Sequence, residues 1–187
     1  MSCEALLDRL ACSPIIAAVQ EHSFMEALDS SAEIIFYLRA SLLTVAERVR
    51  LAHAAGKTIF VHIDLAEGIG KDKTGIEFLA DVGADGIIST RTQLLRLARE
   101  RGLLSVQRFF ALDSQGLESM EETLSSGVPH FIEIMPGVIG KVIARVAKKG
   151  VPIIAGGLIE TKKEVVTALE CGAIAVSTGK SELWNLD

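Results

Sequence analysis

Long apolar runs are missing from this chain: no uncharged stretch approaches the roughly 20 residues that a membrane helix needs. The opening residues, MSCEALLDRL, carry acids where a secretory signal would carry bases. Both absences predict a cytoplasmic protein with no membrane partner. Cysteine is scarce and odd in number (Cys3, Cys12 and Cys171), and no two stand at C-x-x-C spacing. That removes the usual zinc and dithiol motifs and predicts reduced thiols. Aromatic residues make up only 5%, which leaves little for stacking on single-stranded bases. An excess of positive charge is also lacking, with 19 Lys and Arg against 24 Asp and Glu, net −5. Any contact with nucleic acid must therefore come from a local basic patch.

What is present is a globular composition: 187 residues, 49% apolar and 23% charged, enough for one domain, 1–187, with a substantial core. MSCEALLDRL reads as a short amphipathic helix with Cys3, Leu6, Leu7 and Leu10 on one face. After it, short strands and helices alternate. Strands are expected at 14–19, 33–38, 58–63, 86–89, 104–110, 130–135, 151–155 and 173–177. Helices are expected at 42–55, 74–82, 91–101, 117–125, 138–149 and 162–170, with room for only a short one in 21–30. The strands are rich in Ile and Val and apolar on both faces, the mark of a parallel sheet covered by helices. Gly56, Gly83, Gly102, Gly127, Gly150 and Gly172 fall where helix C-caps are expected. Eight strands with intervening helices predict a compact (β/α)₈ barrel with some elements trimmed. An open doubly wound sheet is the alternative. Its dinucleotide-binding form needs glycines after the first strand, where this chain has Val19-Gln20-Glu21-His22.

A barrel works at the C-terminal ends of its strands. In the third strand, alternation places Phe60, His62 and Asp64 inward; in the sixth, Phe131, Glu133 and Met135. Asp64 and Glu133 then approach the barrel mouth. A magnesium site, a general acid/base pair and acceptance from ligand hydroxyls are open readings for them, beside plain pairing with Arg or Lys. Hydroxyl binding and plain pairing rank above the metal, because no further metal-type cluster is visible. His62 is expected to be a hydrogen-bonded interior residue. No strand core carries a Schiff-base lysine. Lys71 and Lys73 lie in the loop LAEGIGKDKTG, whose length suits a mobile lid or a solvated loop and whose spacing is not a P-loop.

The seventh and eighth strand ends are more specific. Gly156 and Gly157 can bring bare backbone N–H groups to an anion. Ser177, Thr178 and Gly179 add two hydroxyls and the start of a short helix. Barrels commonly build a phosphate site from these two loops, although two unrelated turns would read the same way. Positive charge is uneven: 91–101 holds Arg91, Arg96, Arg99 and Arg101, and 141–149 holds Lys141, Arg145, Lys148 and Lys149. Lys162 and Lys163 follow. The first 36 residues have six acids and only Arg9 as a base.

These stretches resemble the glycerol-3-phosphate-responsive antiterminators, the glycerol uptake operon regulators of bacteria. The shared landmarks are PIIAAV (14–19), FVHIDLAEGIGKDKTGIEFL (60–79), GIISTR (86–91), QRFFALDS (107–114), FIEIMPGV (131–138), PIIAGGLI (152–159) and AVSTGKSELW (175–184). The resemblance implies a barrel that senses glycerol 3-phosphate as effector and binds a leader mRNA to prevent premature termination. It implies no catalytic turnover and no cofactor. It would seat the phosphate at Gly156, Gly157, Ser177, Thr178 and Gly179. Position at the barrel mouth adds Asp64, Glu133, Arg91 and Arg108 as hydroxyl or anion contacts. A phosphosugar isomerase, lyase or synthase on the same barrel is the alternative function, and a homo-oligomer is compatible with either.

Overall fold

Short Ile- and Val-rich strands that are apolar on both faces can be covered only if helices shield one side and a barrel interior takes the other. That is the arrangement in the computed structural model, which describes residues 2–111, 114–125, 127 and 129–186. The strands are β1 (Ile15–Val19), β2 (Ile34–Tyr37), β3 (Thr58–His62), β4 (Gly86–Ser89), β5 (Leu104–Phe110), β6 (Phe131–Met135), β7 (Ile153–Gly156) and β8 (Ala175–Thr178). All pair in parallel, each with its sequence neighbour, and β8 closes onto β1. The helices are α1 (Cys3–Cys12), α2 (Phe24–Asp29), α3 (Val45–Ala54), α4 (Lys73–Asp81), α5 (Thr92–Glu100), α6 (Ser114–Ser125), α7 (Gly140–Ala147) and α8 (Lys162–Glu170). The expected (β/α)₈ barrel is therefore the fold. The trimming falls on α2, which has six residues, and on the segment after β8, a single 3₁₀ turn, Ser181–Leu183.

Two apolar layers hold the barrel. Outside the sheet, alternate strand residues such as Val61, Ile132 and Ile134 pack with Val49, Leu79, Leu95 and Ile143 from the helices. Inside, Ile16, Ile34, Phe36, Phe60, Ile88, Val106, Phe131 and Ile154 fill the lower lumen. The rings of Phe36 and Phe60 lie tilted, 5.5 Å apart. Gly86 makes room for Phe60: a Cβ there would stand 2.3 Å from the Phe60 ring. Phe60 and Phe131 thus face inward, as alternation predicts.

Helix α1 closes the N-terminal end of the barrel. Leu6 and Leu10 are buried in the interior cluster, and Cys3 and Leu7 pack beside them. Arg9 pins the helix by donating to the carbonyl of Gly56 and the hydroxyl of Thr58. All six glycines expected at helix C-caps have positive φ, from 61° to 103°.

Several boundaries differ from the sequence reading. Helix α7 starts at Gly140, not Val138, because the Gly137 N–H donates to the carbonyls of Gly156 and Gly157 at the end of β7. Helix α3 starts at Val45, not Leu42, because the N–H of Leu42 bonds to the Glu67 carbonyl in the loop after β3. That same loop is less lid-like than expected. Lys71 donates to the carbonyls of Ala66 and Ile69, and Asp72 caps α4 through the Gly75 N–H.

Candidate functional site

Polar side chains gather where the lumen meets the C-terminal rim. Arg108 on β5 and Glu133 on β6 are register partners. The Arg108 Nε donates to Glu133 Oε2 at 2.5 Å, and the two side chains are only 8% and 1% exposed. From β8, Ser177 Oγ donates to Glu133 Oε1 at 2.6 Å. Gly156 on β7 leaves space for this group, since a Cβ there would lie 2.5 Å from Glu133 Oε1 and 2.6 Å from Ser177 Oγ. A buried carboxylate is tolerated only with a cation and hydrogen bonds beside it, and this one has both.

Above that floor opens a cleft of about 250 Å³. Arg108 and Glu133 form part of its base, and Gly157, Ser177, Thr178 and Gly179 form one wall. Gln20, His22 and Ser23 line it from the turn after β1. Gly157 and Leu158 have φ of 75° and 59°, so two successive residues take the left-handed conformation. Among the described residues, the N–H groups of Gly157, Leu158 and Gly179 have no protein acceptor. Such bare donors beside a guanidinium suit an oxyanion.

The expected donor set is thereby redistributed. The Thr178 hydroxyl donates to the Ile159 carbonyl at 2.8 Å and accepts the Lys180 N–H. The Ser177 hydroxyl is engaged by Glu133. What the wall offers an anion is backbone N–H, not side-chain hydroxyl. Gly156 lies beneath the cleft, and its missing side chain serves Glu133. The expected short helix after Gly179 is one 3₁₀ turn, held against β8 by the Trp184 indole N–H on the Thr178 carbonyl. Leu158, 69% exposed on the cleft wall, carried no sequence signal beyond following two glycines.

Asp64 and Arg91 stand on a different arc of the rim. Asp64 follows β3 in a 3₁₀ turn, Ile63–Leu65, and gathers the end of β4: it accepts from the Ser89 hydroxyl and from the N–H and hydroxyl of Thr90. The Arg91 Nε approaches Asp64 Oδ1 at 3.5 Å, and the Arg91 side chain is largely exposed. Both carboxylates of the sequence reading are thus paired with an arginine.

His62 departs from expectation. It is inward and buried at the end of β3, yet neither ring nitrogen has a hydrogen-bond partner among the described residues. Its Nε2 stands 4.0 Å from Asp64 Oδ2, beyond hydrogen-bond reach. Burial, with the Arg108 charge adding to it, pushes its pKa down to about 4, against the opposing pull of Asp64 and Glu133. His62 is therefore a neutral imidazole at pH 7, with one donor and one acceptor.

The outer surface carries the basic residues. Lys141, Arg145 and Lys148 are exposed along α7 and its C-cap, at helical spacing. On α5 and its C-cap, Arg96 is exposed, Arg99 donates to the Gly127 carbonyl, and Arg101 pairs with Asp81. Among the described residues, no helix is long and apolar enough to cross a membrane, and no three His, Cys, Asp or Glu residues are grouped as metal ligands.

A model of the glycerol-3-phosphate responsive antiterminator family matches residues 15–184, nearly the whole barrel. The chain belongs to that family. The solved glycerol uptake operon antiterminator regulatory protein from Listeria monocytogenes is 34% identical, with TM-score 0.87 over 92% of this chain and 95% of that one. An antiterminator-related protein from Thermotoga maritima is also 34% identical, with TM-score 0.79 over 91% and 96%. The uncharacterized protein YgcP of Escherichia coli K12 is 36% identical over 97% of this chain and 96% of its own length. Solved aldolases at 11% to 14% identity share this barrel, and that likeness is one of fold alone.

Proposed function

We propose that this antiterminator family member is a cytoplasmic, non-catalytic sensor of glycerol 3-phosphate. On binding it, the protein engages a leader mRNA and prevents premature termination at genes for glycerol uptake and metabolism. The family match over 15–184 carries the reading. The cleft supports its sensor half: it is small, and Gly157, Leu158 and Gly179, whose N–H groups have no protein acceptor among the described residues, line it together with Arg108. The phosphate would sit at that wall, and the glycerol chain would extend toward Arg108 and Glu133. The exposed bases of α7 support the RNA half, because cations on an otherwise acidic protein concentrate the field there.

An isomerase, lyase or synthase has less support from the same residues. A carboxylate base must be free to take a proton. Glu133 is held by Arg108 and Ser177, and Asp64 by Ser89 and Thr90.

Leader-RNA binding with and without glycerol 3-phosphate, at two salt concentrations, tests the whole reading. Affinity is expected to fall steeply with salt and to respond to the ligand. Thermal unfolding against three- to five-carbon phosphates tests the sensor half separately. Glycerol 3-phosphate at a hundredfold over its Kd is expected to stabilise by about 2.7 kcal/mol. No shift removes the sensor, and salt-insensitive or absent RNA binding removes the regulator.

A further inference from the structure

The loop after β3 and the first turns of α4 and α5 enclose a second cavity, of about 330 Å³, which shares no lining residue with the cleft. Arg91, expected as an anion contact at the barrel mouth, lines this cavity and not the cleft. Lys71 and Lys73 line it too, from the loop LAEGIGKDKTG and the start of α4. Three cations therefore meet here against one carboxylate, Asp72, whose Oδ1 caps α4.

The protein leaves much of this charge unanswered. Lys73 is exposed, and its side chain has no ion pair or hydrogen bond among the described residues. Arg91 approaches Asp64 at 3.5 Å, and its guanidinium makes no hydrogen bond among the described residues. Lys71 donates to the carbonyls of Ala66 and Ile69, and an ammonium has a third donor. The placement is also uphill. Lys73 is the first residue of α4 and Arg91 the N-cap of α5, where the helix dipole disfavours cations, and neither first turn holds an acid. Asp72 offsets this at α4; nothing on its own helix offsets it at α5. An anion in the cavity relieves both helices.

The lining narrows the class of anion. A phosphate monoester brings nearly two charges and three acceptor oxygens, which suits three cations better than a carboxylate does. The opposite wall is apolar, with Leu94 buried and Leu97 partly buried, and Gln93 adds an exposed amide. The volume exceeds the 250 Å³ of the cleft, so the phosphate carries a body larger than glycerol. We propose that this cavity is a phosphate-ester site, separate from the cleft, that takes the phosphate of a nucleotide, either free or in an RNA chain. Leu94 and Leu97 pack on the nucleoside, and the Gln93 amide meets the edge of the base.

Adenosine 5′-monophosphate is the probe, because a glutamine amide matches the adenine edge. Calorimetric titration of the full chain at low salt compares it with adenosine and inorganic phosphate. The nucleotide is expected to bind about tenfold more tightly than either, or better. Lys73→Gln and Arg91→Gln, both at exposed positions, are each expected to weaken it about tenfold and to leave glycerol 3-phosphate binding unchanged. Saturating glycerol 3-phosphate is expected not to displace it. A short RNA that displaces the nucleotide makes the RNA chain the source of the phosphate ester. Nucleotide binding that the RNA leaves untouched makes the free nucleotide the source, and both outcomes uphold the site. No nucleotide binding at about 1 mM, equal binding of adenosine, displacement by glycerol 3-phosphate, or full affinity in either variant overturns it. Inorganic phosphate that binds as tightly as the nucleotide overturns the fit to a nucleoside. If glycerol 3-phosphate itself does not bind, the cleft reading fails and the nucleotide titrations still decide this site.

Discussion

Replacing Arg108 by methionine isolates the interaction at the base of the cleft. Methionine keeps much of the side-chain volume and removes the guanidinium. Glu133, 1% exposed, is then left with the Ser177 hydroxyl as its one remaining hydrogen-bond donor among the described residues. Stranding a buried charge in this way costs about 3–5 kcal/mol. At about 2–4 °C per kcal/mol for a chain of this length, the melting temperature is expected to fall by about 10 °C. Glu133→Leu is expected to cost less, nearer about 3 kcal/mol, because the Arg108 it strands opens onto the cleft. The double variant Arg108→Met with Glu133→Leu leaves no unpaired charge. It is expected within about 2 kcal/mol of wild type, since an apolar pair can replace a buried ion pair at little cost. Urea denaturation of the four proteins closes the cycle, and the two singles are expected to exceed the double by several kcal/mol. A cost below about 1 kcal/mol for Arg108→Met, or single effects that simply add in the double, would refute the account of this group.

Three further outcomes follow from the geometry. His62 takes up its proton near pH 4 in the folded protein and near 6.5 when unfolded. Its contribution is complete above pH 6.5 and is lost as the pH falls toward 4, about 3 kcal/mol in all. Denaturation at pH 4–8 is expected to show a slope that His62→Phe flattens, and equal slopes in both proteins would contradict this. Gly156→Ala puts a methyl 2.5 Å from Glu133 Oε1 and is expected to cost about 1–3 kcal/mol in urea, with full stability as the contrary result. Leu158→Gly relieves a left-handed leucine that is 69% exposed, so it is expected to be neutral or stabilising by about 1 kcal/mol, and a loss larger than that would count against strain there.

The barrel and its orientation are legible in the sequence, for a local reason. Strand and helix periodicity, C-cap glycines and the inward phase of Phe60 and Phe131 all depend on backbone geometry over a few residues. Their order then allows few parallel topologies. The same phase put Asp64 and Glu133 near the mouth, and the paired glycine and Ser-Thr-Gly ends marked the cleft wall. The partners of those residues depend on strands far apart in sequence, so only the closed barrel decided them. Glu133 meets Arg108 across the β5–β6 edge and Ser177 of β8 over the intervening β7, and Gly156 on β7 is the space that this meeting needs. Ser177 and Thr178, donors on paper, turn to protein acceptors because buried carboxylate and carbonyl oxygens compete for them. The sequence predicts a hydrogen-bonded interior residue at His62, as a lone buried histidine usually is. Closure left it buried within the field of Asp64 and Glu133, carboxylates that other groups already hold, with Asp64 Oδ2 4.0 Å from its ring. Sequence determined which residues face the mouth; packing around the lumen determined which of them still have a hydrogen bond to offer.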